Sequence, residues 1–167
     1  MGSGSKTPTQ LRTEIVAHLE DFPHQLLALE SAMEEFGEGF EMAVFKPAFE
    51  RKSGIKAYNQ VQAVERAFGR VQNYMVQLSE SGAALAGLEL PRNHQSSAAR
   101  AFEALREAGA VDASLCRRLQ RAQKARSAVE HSYIKVKAGR VHEAVELVAE
   151  SARAFIGPYT VWIKPRL

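Results

Sequence analysis

Arg126, His131 and Tyr133 stand within one octapeptide, Arg126-Ser127-Ala128-Val129-Glu130-His131-Ser132-Tyr133, and their side chains suit work on a phosphodiester. An arginine fork can hold two phosphate oxygens while charge builds in a transition state. An imidazole, with an ordinary pKa of about 6.5, takes and gives a proton near neutrality. The surrounding charge agrees with that chemistry. Between residues 117 and 140 eight bases (Arg117, Arg118, Arg121, Lys124, Arg126, Lys135, Lys137, Arg140) meet one acid, Glu130, for a local charge of +7 in a chain whose net charge is +3. Such a block is an electrostatic footprint for a polyanion, although a merely solvated helix face would carry charge as well. Within it Arg117, Arg118, Arg121, Lys124, Lys135 and Lys137 are the candidate contacts to a polyanion such as RNA.

These residues need a scaffold, and the apolar spacing supplies one. Leu115, Leu119, Ala122, Arg126, Val129, Tyr133 and Val136 recur at intervals of three and four, so one helix carries the basic block, with Asp112 as its N-cap. Arg126 and Tyr133 fall where the pattern calls for apolar side chains. A guanidinium there must be paired or must line a wet cleft. His131 lies five residues beyond Arg126, about 140° around a regular helix at ~100° per residue. For both to reach one phosphate, the helix must distort near the histidine, or two copies of it must meet across a symmetric dimer.

Other stripes extend the same pattern. Ile15, Leu19, Phe22, Leu26, Leu29, Met33, Phe36 and Phe40 form the first, interrupted by Pro23, so it is one kinked helix or two sharing a face. The stretch from about Lys46 to Gly54 reads as a connector. Val61, Val64, Phe68, Val71, Met75 and Leu78 form the second stripe, ending near Gly82. A short helix follows at about Ser96 to Ala108, closed by Gly109. A last helix after Gly139 places Val141, Val145, Val148, Ala152 and Phe155 inward and stops at Gly157-Pro158, leaving Val161, Trp162 and Ile163 as a strap. The fold class is therefore all-α, an antiparallel bundle of about five helices, with residues 1–9 a flexible tail and 10–167 a single domain. Neither strand alternation nor a Gly-rich phosphate loop is present.

Composition limits the chemistry further. A single cysteine, Cys116, excludes an internal disulfide framework and reads as a small packed hydrophobe. His18, His24, His94 and His142 show no metal-ligand spacing, and His142 with Glu143, Glu146 and Glu150 reads as the polar face of the last helix. The acid-rich run from Glu30 to Glu41 reads as a solvated face, and Tyr58, Phe68 and Tyr74 as core. No secretory core or membrane span is evident, which points to a cytoplasmic protein.

The Arg, four residues, His, one residue, Tyr pattern of Arg126, His131 and Tyr133 resembles the signature of the HepT-like toxins in the HEPN ribonuclease superfamily. Ala63-Val64-Glu65-Arg66-Ala67-Phe68 resembles the start of that family's long second helix. The run from Ala101 to Val111 resembles its helix and turn ahead of the motif helix, so the likeness covers roughly residues 11 to 156. The resemblance implies a HEPN-like bundle and a homodimer whose two motif helices form a composite, metal-independent ribonuclease site needing no cofactor. It implies that Arg126 polarises the scissile phosphate and His131 shuttles the proton as the ribose 2′-hydroxyl attacks. It further implies that Tyr133 is modified with AMP by a partner nucleotidyltransferase antitoxin. Ser127 replaces the family's more usual amide or acid, and Glu130, at i+4 from Arg126, can pair with the guanidinium and compete with substrate. Two other readings stand beside this one: a non-catalytic module that binds nucleotide or RNA, and a helical domain that binds a protein partner.

Overall fold

A capping box opens the first helix. Thr7 Oγ1 accepts from the Gln10 N–H at 3.2 Å, and Gln10 Oε1 accepts from the Thr7 N–H at 2.8 Å, with Pro8 preset for the first turn. The computed structural model describes residues 5–92, 96–131 and 136–167. Among these are α1 (Pro8–Glu34), α2 (Met42–Phe49), α3 (Gly54–Leu85), α4 (Ser97–Glu107), α5 (Ala113–Glu130) and α6 (Ala138–Ile163), followed by a 3-10 turn at Lys164–Arg166. The protein is all-α, with no strand among the described residues.

Four details of the helical segments depart from the sequence expectation. Pro8 and Thr9, read as tail, already belong to α1. Pro23 lies inside a single α1, one of the two forms its position allowed, whereas Pro158 does not stop α6, which runs on to Ile163. An interior proline costs about 3 kcal/mol, yet in each case buried residues lie on both sides: Phe22 and Leu29 in α1, Phe155, Tyr159 and Ile163 in α6. Burying each such side chain contributes about 1.5–3 kcal/mol, enough to hold the helix together across the break. For the same reason the C-terminal segment is no strap: Ile163 is buried in the last turn of α6, Trp162 carries the Arg166 guanidinium over its ring at 4.4 Å, and Val161 is exposed. The fourth departure is α2, formed partly from the expected connector, with Phe45 and Ala48 buried.

α2 ends in a Schellman motif. Lys52 N–H donates to the Pro47 carbonyl at 2.8 Å and Arg51 N–H to that of Ala48 at 3.1 Å. The left-handed residue of such a motif is usually glycine, but here it is Arg51 at φ 61°. An L-residue in that conformation costs about 1–2 kcal/mol.

Side-chain links fix the direction of the long helices. Along α1 and α3, Glu14 accepts from Ser81 at 2.9 Å, Asp21 from Tyr74 at 2.5 Å, and Glu35, just past α1, from Gln60 at 3.0 Å. Rising numbers on α1 meet falling numbers on α3, so the pair is antiparallel. α5 runs antiparallel to α3 as well, since Gln72 donates to Gln123 at 2.8 Å while Arg126 reaches Gly69. α6 lies against α1, α3 and α5 and closes the core, with the Tyr159 hydroxyl donating to the Leu78 carbonyl at 2.5 Å beside Gly82. A continuous core of Ile15, Phe22, Leu78, Phe102, Leu119 and Phe155 results. Cys116 is buried in it, its thiol pushed up to about 12 chiefly by burial, which agrees with a packed hydrophobe rather than a nucleophile.

His142 departs from its expected place. It stacks on Phe40 at 4.3 Å with an interplanar angle of 5°, and its Nε2 lies 2.5 Å from the Phe40 carbonyl. A carbonyl only accepts, so Nε2 carries the proton. The imidazole thus steadies the turn between α1 and α2, where Phe40 holds φ 58°.

Candidate nucleic-acid site

α5 begins where Asp112 caps it, its carboxylate accepting from the Leu115 N–H at 2.7 Å. From there the inward stripe passes through Leu115, Leu119 and Ala122, all buried, and arrives at Arg126. The stripe carries the guanidinium toward α3, where Gly69 offers no side chain; a Cβ there would lie 3.9 Å from Arg126 Nη2. Only 13% of the Arg126 side chain is exposed. Its Nη2 donates to Glu130 Oε1 at 2.6 Å, and its buried Nε has no acceptor among the described residues. Arg126 and Glu130 form one wall of a groove of about 530 Å³ whose other wall, on α3, includes Glu65, Arg66, Arg70 and Asn73.

His131 caps the other end of the motif. Its N–H donates to the Ser127 carbonyl at 3.0 Å, closing the last turn of α5, and the residue is exposed. It does not line the Arg126 groove, so within one protomer the structure brings Arg126 to Glu130 rather than to His131. Ser127 is half-buried and contributes its backbone carbonyl to this cap. Tyr133 and Lys135 lie outside the described residues.

A second groove, about 650 Å³, lies between α5 and the start of α6. Arg121, Lys124, Lys137 and Arg140 line it against one acid, Glu143, and its floor includes Ala125, Val129 and Leu147. A basic rim over an apolar floor fits a strand of nucleic acid, which brings phosphates for the first and sugar and base faces for the second. Of the expected RNA contacts, Arg121, Lys124 and Lys137 share this groove. Arg117 is exposed and Arg118 half-buried, its Nε without an acceptor among the described residues, and neither lines it. Arg140, expected only as a member of the basic block, also lines the groove.

Glu65 was overlooked. It lines the Arg126 groove, a smaller cavity against Val129, Glu130 and Val136, and a third cleft reaching to α2. Half-buried and without a hydrogen-bond or ion-pair partner among the described residues, it has its carboxyl raised above the ordinary range by burial. A signal existed in the spacing: Val61, Glu65 and Gly69 follow one another at i+4, so the edge of the α3 stripe trades apolar residues for an acid and a gap.

Among the described residues no group of three metal-ligating side chains is placed to hold an ion, and no helix is long and apolar enough to cross a membrane. Comparison of the chain with family models, with curated proteins and with solved structures finds no match.

Proposed function

We propose that this chain binds RNA along the α5–α6 groove and cleaves it without a metal, Arg126 and His131 supplying the chemistry in the manner of a HepT-like toxin ribonuclease. The observation that carries the reading is the set of four bases, Arg121, Lys124, Lys137 and Arg140, around an apolar-floored groove on the helix that also bears Arg126. Arg126 would bind the scissile phosphate. His131 would take the proton of the 2′-hydroxyl as that oxygen attacks phosphorus, and return a proton to the departing 5′-oxygen. Because the two side chains separate along one helix, the complete site requires a second copy of α5, and the working species is a homodimer. A cytoplasmic setting and a nucleotidyltransferase antitoxin that blocks the site by modifying Tyr133 with AMP complete the proposal; these rest on the sequence resemblance.

One observation favours a second reading. Glu130 occupies the guanidinium at 2.6 Å, as it would in a module that binds RNA and does not cut it. The two are separated by incubating purified protein with total RNA and tRNA in EDTA, comparing wild type with Arg126→Ala and His131→Ala. Cleavage by the wild type that disappears in both variants supports the ribonuclease. Equal inertness of all three, with Tyr133 unmodified by mass and RNA binding retained, leaves the non-catalytic module.

A further inference from the structure

The largest of the described cavities, about 950 Å³, is neither the Arg126 groove nor the α5–α6 groove; it opens between α2, the start of α3 and the start of α6. Three cations border it. Lys46 is 4.0 Å from Glu50, whose other oxygen is held by Lys52 at 2.9 Å. Arg51 meets no carboxylate among the described residues; its guanidinium lies 4.5 Å over the Tyr58 ring and donates to the Tyr58 hydroxyl at 3.0 Å. Lys137 is the N-cap residue of α6, whose N-terminus takes no side-chain cap from the described residues, and a helix end of that kind can meet an anion. The apolar part includes Met42, Phe49 and Val136, and two acids line the cleft: Glu50, already held by Lys52, and Glu65, which has no partner among the described residues.

The occupant that answers all these features has a phosphate, a flat face and hydrogen-bond donors. We infer that this cleft is a base-reading subsite for a guanine nucleotide, its phosphate among Lys46, Arg51 and Lys137, its base against Phe49 and the Arg51–Tyr58 stack, and its Watson–Crick edge on Glu65. Guanine follows from the chemistry of the carboxylate. An ionised Glu only accepts, with two oxygens side by side, and guanine alone among the four bases presents two adjacent donors, N1–H and the 2-amino group. Adenine and cytosine set an acceptor beside their amino group, and uracil sets its one N–H between two carbonyls, so each would oppose a lone pair to the carboxylate. Stacking on an aromatic ring or a guanidinium plane is how unpaired bases are held in single-stranded RNA. Arg51 gains a purpose for its left-handed backbone, which keeps the guanidinium over Tyr58 at the border of the cleft.

Glu65 also lines the Arg126 groove, so the inference rests on the RNA reading to this extent: the guanosine bound here would neighbour the phosphate held by Arg126. The experiment is calorimetric titration of the full chain with GMP, IMP, AMP, CMP and UMP, with binding of a fluorescent twelve-residue oligouridylate measured in parallel. GMP should bind about tenfold more tightly than AMP, CMP or UMP, as one charge-assisted hydrogen bond is worth about that factor. IMP, which lacks the 2-amino group, should fall between. Glu65→Gln should bring GMP to within about twofold of AMP, and Arg51→Ala should weaken every nucleotide about fivefold or more. Should Glu65→Gln prove unfolded by circular dichroism, the ranking of GMP over IMP over AMP on the wild type decides the matter. Equal binding of GMP and AMP, or no binding of any nucleotide, overturns the subsite. Oligouridylate binding without a guanine preference removes the subsite and leaves the RNA reading standing; a guanine preference without oligonucleotide binding does the reverse.

Discussion

Arg126 and Glu130, one turn apart on α5, are joined at 2.6 Å, and the acid occupies a guanidinium that the charge around it suits to phosphate. The Glu130 side chain is 45% exposed, so the pair contributes only about 0.3–0.5 kcal/mol to the helix. Removing it should therefore cost little stability while freeing the arginine. Glu130→Ala is expected to bind single-stranded RNA about two- to fivefold more tightly with a melting temperature within about 2 °C of wild type, as read by fluorescence anisotropy and thermal denaturation. Unchanged affinity would show that the guanidinium does not contact RNA.

Gly69 gives a complementary test from the facing helix. Its backbone is helical, and a Cβ would meet Arg126 Nη2 at 3.9 Å, an ordinary contact. Gly69→Ala should stabilise α3 by about 0.5–1 kcal/mol through reduced backbone entropy, with RNA binding intact. Gly69→Leu extends into the space the guanidinium uses, and should lower RNA affinity by an amount that Arg126→Ala already abolishes. A Gly69→Leu effect that persists in the Arg126→Ala background would place its cause elsewhere.

How far the sequence disclosed this arrangement depends on the kind of constraint involved. Ser96 and Asp112 act through short-range hydrogen bonds to the N–H three residues on, at 3.1 and 2.7 Å, so both helix starts were readable locally. Gly109, at φ 76°, closes α4 for a similarly local reason. The connector expected from Lys46 and the stop expected at Pro158 both gave way to helix, because the penalty of Pro47 and Pro158 is local and the burial that outweighs it is tertiary. The partner of Arg126 was legible, since Glu130 is its i+4 neighbour. Glu65 was not, because its isolation is a property of three cavities made by α2, α3, α5 and α6 together. His142 was misread for a like reason: its face of α6 is polar in sequence, but Phe40 arrives from a turn 102 residues away to cover it.

Tyr159 lies so close to Gly82 that the core leaves no room for a side chain there. A Cβ on Gly82 would fall 2.5 Å from the Tyr159 hydroxyl and 3.1 Å from its ring, both inside contact distance. Gly82→Ala should thus destabilise the protein by about 2–3 kcal/mol despite alanine's better helix propensity. Tyr159→Phe alone loses the bond to the Leu78 carbonyl, about 1 kcal/mol. In the double variant the worst clash is gone, so urea denaturation should find a loss smaller than the sum of the two; strict additivity would mean that the Tyr159 hydroxyl does not meet position 82 as described.

Asp21 and Tyr74 tie α1 to α3 and set opposite pH limits. The Tyr74 hydrogen bond holds the Asp21 carboxyl below its ordinary range, and the same bond, with burial, raises the Tyr74 phenol above its own. For the carboxyl, the stabilisation is complete above its unfolded pKa and is lost as pH falls through the lower folded value. For the phenol, it is complete below the unfolded value near 10 and is lost as pH rises through the higher folded one. Tyr74→Phe should accordingly flatten both limbs of the stability profile, acidic and alkaline, with the alkaline effect absent in Asp21→Asn only if its bond to Tyr74 persists through the amide. A wild-type alkaline limb unchanged in Tyr74→Phe would assign that limb to another group.

The α5–α6 groove makes a quantitative claim about salt. Each phosphate neutralised on a single strand steepens the slope of log affinity against log salt by about 0.7. Lys124 and Arg140 border the groove from opposite helices and have no ion-pair partner among the described residues, so each is available to one phosphate. Lys124→Ala with Arg140→Ala should reduce the slope by about 1.4, whereas Lys6→Ala, a cation held by Glu14 at the far start of α1, should leave it unchanged. The comparison is of slopes from 50 to 300 mM salt, on an oligonucleotide long enough to span the groove. A double variant that loses affinity with no change of slope would mean that Lys124 and Arg140 shape the groove without meeting phosphate, and the strand would then have to follow the other basic surface, past Arg66 and Arg70 on α3.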